Sequence, residues 1–389
     1  MHRLFKQRRI GLRAVVAWLA VALVSSVAAA DVGRSTPNRQ GASAPARNPA
    51  AQPQHRPQRQ WAGDIARSVG RLTARDIGLV INTADPYSVQ VGEHYIKARH
   101  LAPSQVLRLN VPVRSVLSVQ EFEVLSDQIQ AHFGPHVQAL ALAWSRPYAV
   151  ECNSITGALA LGFNAQLCQS TCAGSKLSPY FNSPTTRPLN DLRIRPSMLL
   201  AARDVSSAMA LIDRGVASDG SLGLRGGLPV NAHFVITSDS VRSIRQVLFP
   251  PPTRFKDVGV NTFVDQTDAL NGSDRVVLYM TGAVRVNKLN TVRFVPGALA
   301  DHLTSFGGSL DQPNGQMTVL SWLEAGATAS YGTVSEPCAH WQKFPHPQLL
   351  LINYLQGSTA LEAYWRSVAW PQQGLFVGEP LAAPFSRLP

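Results

Sequence analysis

The sequence predicts an α/β fold, with a mostly parallel sheet, helices on both of its faces and three layers overall. Three observations lead there. Short, wholly apolar runs end in Asn, Asp or Pro, as buried strands leaving a sheet do. Segments of helical period, with capping residues, lie between those runs. Their order is β-α-β-α-β, which favours parallel pairing with crossover helices on the faces.

The first strand is Ile77 to Ile81, followed by Asn82, Asp85 and Pro86. Tyr87, Val91, Tyr95 and Ala98 then recur at helical spacing up to His100, and Pro103 ends that unit. Val106 to Leu109 is the second strand and Val111 to Val116 a loop. Ser118 opens a helix with Glu121 three residues on, the spacing of a capping box. That helix continues through Phe122, Leu125 and Ile129 to Phe133, where Gly134-Pro135 stops it. The third strand is Val137 to Trp144.

Residues 145–196 break this rhythm and read as a long, Cys-containing insertion. Met198 to Ala202 resumes as a strand, and Asp204 caps a helix through Met209, Leu211 and Ile212. Gly220 to Gly227, GSLGLRGG, invites a phosphate-cradling reading. It lacks the GK[ST] ending of a P-loop and the GxGxxG spacing of a dinucleotide fold, so a flexible connection is expected. Four further strands are expected at His233–Thr237, Asn261–Val264, Val276–Met280 and Ala327–Tyr331, and Val292–Ala300 is another apolar run. Residues 61–389 suit one large α/β domain, or two close units divided near 215–230.

The N-terminus reads as a signal peptide over residues 1–30. Arg3, Lys6, Arg8, Arg9 and Arg13 precede the apolar core Ala14–Val24, and Ala28-Ala29-Ala30 offers a cleavage site. Residues 31–60, rich in Pro, Ala and Arg, have too little apolar surface to offset ordering and read as a disordered linker. The mature chain is therefore expected to be periplasmic or extracellular, with no transmembrane span. Segment 1–60 holds ten Lys/Arg and one acid, a formal +9 of the total +12. The remaining residues carry only +3, so the high pI does not predict a nucleic-acid surface. Cys152, Cys168, Cys172 and Cys338 are even in number, which an exported chain would pair, one bridge falling inside the first three. No CxxC or HxxxH spacing supports zinc, and no cofactor is indicated.

Chemistry-bearing residues crowd into Gly297–Phe385. The run ending at Ala300 empties into Asp301, His302, Thr304 and Ser305 ahead of Gly307-Gly308. Ligands of open α/β sheets bind beyond the carboxyl ends of strands, so His302 is a candidate acid/base there. The next strand opens into Glu336, Cys338, His340 and Lys343, on the same edge if the sheet is parallel. Cys338 near His340 or His302 is the chain's one Cys/His arrangement suited to a thiolate nucleophile, and disulfide pairing is its competitor. Asp301, Thr304, Ser305, Glu336, His340 and Lys343 are the candidate binding residues, with a Glu336–Lys343 salt bridge as the structural alternative. Trp341, Phe344, Tyr364, Trp365 and Trp370 read as core or pocket wall.

The segments NTADPYSVQVGEHYIKARHLAP, PGALADHLTSFGG, GATASYGTVSEPC, KFPHP, EAYW and VGEPLAAPF span most of 77–385. Through them the chain resembles an uncharacterised family of exported bacterial proteins of unknown function. It is more distantly similar to the gingipain-type cysteine peptidases, through Gly326-Ala327 and the turn Gly378-Glu379-Pro380. That similarity implies a caspase-like variant of the Rossmann-like three-layer architecture. It also implies a catalytic His after one central strand and a Cys after the next, here the loops Thr281–Asn287 and Asp301–Gly308. The first contains no His and the second no Cys. The expectation is thus a divergent or inactive hydrolase-like protein, its site formed by the 301–308 and 332–343 loops. The alternative is a non-catalytic binding protein for a small ligand or cell-envelope polymer.

Overall fold

Asp85 starts the first helix because its side chain accepts from the Tyr87 amide, and Pro86 fills a first-turn position that needs no N–H donor. The computed structural model describes residues 65–68, 70–311 and 314–387. The signal peptide and linker expected over 1–60 lie outside the described residues. The elements run β1 (Ile77–Asn82), α1 (Pro86–Arg99), β2 (Val106–Leu109), β3 (Val116–Leu117), α2 (Val119–His132) and β4 (Ala139–Leu142). Then follow β5 (Ala149–Val150), β6 (Asn153–Ser154), α3 (Ile155–Leu161), α4 (Gln166–Gln169), α5 (Pro188–Leu192), β7 (Ser197–Leu199) and α6 (Val205–Ser218). The remainder is β8 (Val230–Ile236), β9 (Thr253–Phe255), β10 (Val260–Gln266), β11 (Val276–Gly282), β12 (Phe294–Leu303), α7 (Leu320–Glu324), β13 (Ala329–Thr333), α8 (Pro347–Leu355), α9 (Ala360–Ser367) and β14 (Gly374–Gly378).

The fold class is as expected: an α/β architecture built on one eleven-stranded, mostly parallel sheet. Its order is β2-β1-β4-β7-β14-β13-β12-β11-β8-β10-β9. The capping box at Ser118 and Glu121 forms, with reciprocal side-chain to backbone bonds. Strand residues alternate between two cores. Leu79 and Ile81 belong to the core formed with α1, α6, α8 and α9, whereas Val80 belongs to the core formed with α2, α3 and α7. A strand covered on both faces has no polar side to show, which is why β1 reads as an unbroken apolar run.

The sheet has two parallel halves of opposite direction. β2, β1, β4, β7 and β14 run together. β13 pairs antiparallel with β14, and β12, β11, β8 and β10 follow β13. The carboxyl edge of one half is therefore the amino edge of the other.

Three local features go beyond the expectations. Residues 145–196, read as a long Cys-containing insertion, carry short elements of their own. They hold α3, α4, α5 and, with β3, the small sheet β3-β5-β6. Polar loops between these short elements hide their periodicity. β12 continues through Asp301 and His302, which the sequence placed in a loop, because Arg245 pairs with Asp301 and the His302 ring is held by Trp322 and the Met317 carbonyl. The strands β9 and β14 and the helix α8 were not anticipated. Two disulfides, Cys152–Cys168 and Cys172–Cys338, brace the chain, the first within the expected trio. No helix among the described residues is long and apolar enough to cross a membrane.

Candidate functional site

β12 and β13 are parallel neighbours, so the loops after them do share an edge. Almost every predicted site residue there is held by the fold. Asp301 and His302 are each 1% exposed. Asp301 Oδ1 accepts from Arg245 Nη2 at 2.6 Å, and Arg245 also donates to the Thr281 and Pro345 carbonyls. Burial pushes the Asp301 carboxyl up while Arg245 pulls it down. His302 lies between the Trp322 indole, which donates to Nδ1 at 2.9 Å, and the Met317 carbonyl, 3.0 Å from Nε2. Burial lowers its pKa to about 3, so the ring is neutral with both nitrogens occupied. The expectation of His302 as an acid/base is corrected on that ground: neither nitrogen is free for substrate.

Thr304 Oγ1 and the Phe306 amide both donate to Gln316 Oε1. The Ser305 carbonyl accepts from Thr333 Oγ1 at 2.9 Å. Gly308 marks close backbone approach: a Cβ there would sit 2.5 Å from the Gly332 carbonyl oxygen. The glycines beside the chemistry thus let two strand ends touch.

In the second loop, Cys338 is bonded to Cys172 and leaves no free thiol among the described residues. The nucleophile expectation is corrected accordingly, since a disulfide sulfur cannot form a thiolate without reduction. Glu336 Oε1 accepts from the Cys338 amide at 2.7 Å, bracing a turn in which Cys338 and Ala339 are left-handed, at φ 58° and 55°. The expected Glu336–Lys343 salt bridge is replaced. Lys343 is buried and donates from Nζ to the Thr171 carbonyl at 2.6 Å. Burial lowers its pKa to about 8, against a raising effect of Glu336. His340 stands edge-on to Trp370, ring centroids 5.9 Å apart. Phe344, Tyr364 and Trp365 are core, and Trp341 and Trp370 are half-buried. Among the described residues, no three His, Cys, Asp or Glu side chains converge as a metal site.

Open space with unbalanced charge lies elsewhere. A cavity of about 760 Å³ forms where Gly220–Gly227 meets the segments at 65–67, 256–259 and 385–387. This is the amino edge of β8 and β10, hence the carboxyl side of the opposite half. The loop is fixed rather than loose: Gly220 and Leu222 donate their amides to the Ala383 and Pro384 carbonyls. Gly220, Gly223 and Gly226 have φ of 64°, 69° and 77°, which explains the glycines where a Cβ would strain the backbone. Arg67, Arg225, Lys256 and Arg387 line the cavity, with Asp257 the one carboxylate among its described lining residues. Asp257 is itself engaged by the Ile65 amide at 2.8 Å. Burial, then the like charge of Arg387, lowers the Arg67 pKa, with Asp257 opposing.

A second cavity, of about 470 Å³, opens near the carboxyl ends of β4 and β7 and includes Arg146 and Arg203. Arg146 and Arg203 already have counter-ions: Asp311 lies 3.5 Å from Arg146, and Glu324 forks onto Arg203, while the third lining cation, Arg285, reaches the Gly315 carbonyl. The first cavity is the stronger candidate. Sequence reasoning missed it because its cations come from four separate segments. The usable signal was the glycine loop itself, set aside for want of a nucleotide motif. No family model, no curated protein and no solved structure matches this chain.

Proposed function

We propose that this chain is an exported α/β binding protein that holds an anionic ligand of the cell envelope in the Gly220–Gly227 cleft. In this reading it is an inactive relative of a hydrolase-like scaffold, and the 301–343 loops catalyse nothing. The carrying observation is the charge of the cleft, with four cations and one carboxylate among its described lining residues. Cations held close without counter-ions repel one another, and an entering anion relieves that cost. Two disulfides support an oxidising compartment, as do the basic N-terminal residues before an apolar run. The occupied ring of His302 and the bonded Cys338 argue against the catalytic alternative.

Titration calorimetry of the oxidised chain with dextran sulfate and with neutral dextran tests the reading. Saturable binding of the sulfated polymer alone is expected, weakening as salt rises and lost in the Arg225→Glu/Lys256→Glu variant. Equal indifference to both polymers, or binding unchanged in that variant, would sink it.

A further inference from the structure

The rim of the cleft carries two features that a small soluble anion would not require. Leu224 and Leu228 are 62% and 73% exposed and flank Arg225 on the same loop. The backbone beneath them is held in place, since Arg275 donates to the Leu228 carbonyl at 3.0 Å and the Gly227 amide donates to the Leu224 carbonyl. Two leucines on a fixed loop, pointing away from every core, are an apolar surface that needs a cover. Beside them, the amides of Gly223, Leu224, Arg225 and Gly226 have no acceptor among the described residues. Successive free amides in a turn with left-handed glycines form a concavity suited to an oxyanion. A Cβ built on Gly226 would meet nothing within 4 Å, so the approach is open.

We infer that the cleft docks an anionic phospholipid surface, taking a headgroup phosphate among Arg225, Lys256 and the loop amides while Leu224 and Leu228 enter the lipid interface. The inference rests on the anion-binding reading above and adds the source of the anion. Apolar tips next to cations are what an interfacial contact combines: buried hydrocarbon together with attraction to negative lipid. The sequence just before the cleft agrees in sign. Residues 31–60 carry five arginines and a single acid, Asp31, and precede the cleft residue Arg67. Long-range attraction from that segment would add to the cleft's own charge.

The test is co-sedimentation of the oxidised chain with vesicles of phosphatidylglycerol and phosphatidylcholine, against vesicles of phosphatidylcholine alone. Glycerol 1-phosphate serves as soluble competitor. All variants change exposed residues, and circular dichroism with a thiol count checks that each is folded and bridged. The expected result is binding to the phosphatidylglycerol vesicles only, reduced by competitor and by salt. Arg225→Glu/Lys256→Glu should lower the partition constant by about tenfold or more. Leu224→Ser/Leu228→Ser should lower it far more than it lowers glycerol 1-phosphate binding, because it removes the apolar contact and keeps the cations and the loop backbone. Binding of glycerol 1-phosphate without vesicle binding overturns the lipid inference and leaves the anion site standing. Failure to bind either probe overturns both. Equal partition onto neutral vesicles, or vesicle binding indifferent to either double variant, also overturns the lipid inference.

Discussion

The Trp322 indole donates its Nε1–H to Nδ1 of His302 at 2.9 Å. A ring nitrogen that accepts is unprotonated, so His302 carries its proton on Nε2, facing the Met317 carbonyl at 3.0 Å. This single contact converts the most suggestive histidine of the sequence into a fixed part of the core. It also ties β12 to α7 across the face of the sheet.

An acid-sensitive stability follows. The folded-state pKa of His302 is lowered from 6.5 to about 3 by burial. In that interval the unfolded chain takes up a proton that the folded chain refuses, so stability falls as pH falls. The slope expected from this group is roughly 1.4 kcal/mol per pH unit. Urea unfolding of wild type and His302→Gln between pH 6.5 and 3 measures it as the difference between the two profiles. Parallel profiles would mean that His302 protonates freely in the folded state, and would restore it as an accessible base.

The two disulfides should differ in worth. Cys172–Cys338 joins residues 166 apart in sequence, and Cys152–Cys168 residues 16 apart. Closing the longer loop restricts the unfolded chain more, by about 5 kcal/mol against about 3. Thermal unfolding of Cys172→Ser/Cys338→Ser should therefore show the larger loss, with Cys152→Ser/Cys168→Ser intermediate. Iodoacetamide on the native, unreduced chain should label neither pair. Labelling at Cys338 with a depressed apparent pKa would reopen the nucleophile reading.

A buried ion pair anchors the C-terminal turn. Arg99 bonds Glu379 through Nε at 3.1 Å and Nη2 at 2.5 Å, and the Tyr95 hydroxyl donates to the same carboxylate at 3.0 Å. Burial, the largest single influence, would lower the Arg99 pKa, but the charge and hydrogen bond of Glu379 together with Tyr95 and Asp219 outweigh it and the net shift is upward. Arg99→Met strands a carboxylate that is 0% exposed, at a cost of about 3–5 kcal/mol. Glu379→Gln should cost less, because the amide still accepts from Tyr95 and Arg99 keeps Asp219. Equilibrium denaturation that ranks the two variants the other way would contradict this account.

The legible part of the sequence was what local chemistry decides. Apolar runs gave β1, β2 and β11 close to their observed bounds, and Ser118 with Glu121 marked the start of α2. What escaped was set by distant partners. Asp301 and His302 look like loop residues until Arg245 and Trp322, remote in the chain, make them compatible with a buried strand. Gly307-Gly308 look like a flexible loop until Gly332 is seen against them. The reversal of direction between β13 and β14 has no local signature, since pairing sense depends on where the last strand inserts. The cleft cations are likewise scattered over four segments, and only the sheet edge gathers them.

Lys343 gives a pH response of the same sign as that of His302, in a higher window. Its ammonium is buried beside the Thr171 carbonyl, and its pKa is lowered from 10.5 to about 8 by loss of solvent, with Glu336 opposing. A lysine that gives up its proton early in the folded state is charged in both states below pH 8 and disfavours folding there. Between pH 8 and 10.5 the unfolded chain still holds the proton that the folded chain has released. Stability therefore rises through that window, by roughly 1.4 kcal/mol per unit from this group. Lys343→Met lacks the titration, so its stability profile should be flatter than wild type from pH 8 to 10.5. Superimposable slopes would place the Lys343 ammonium in water and remove the reason for its contact with the segment that Cys172 fastens to Cys338.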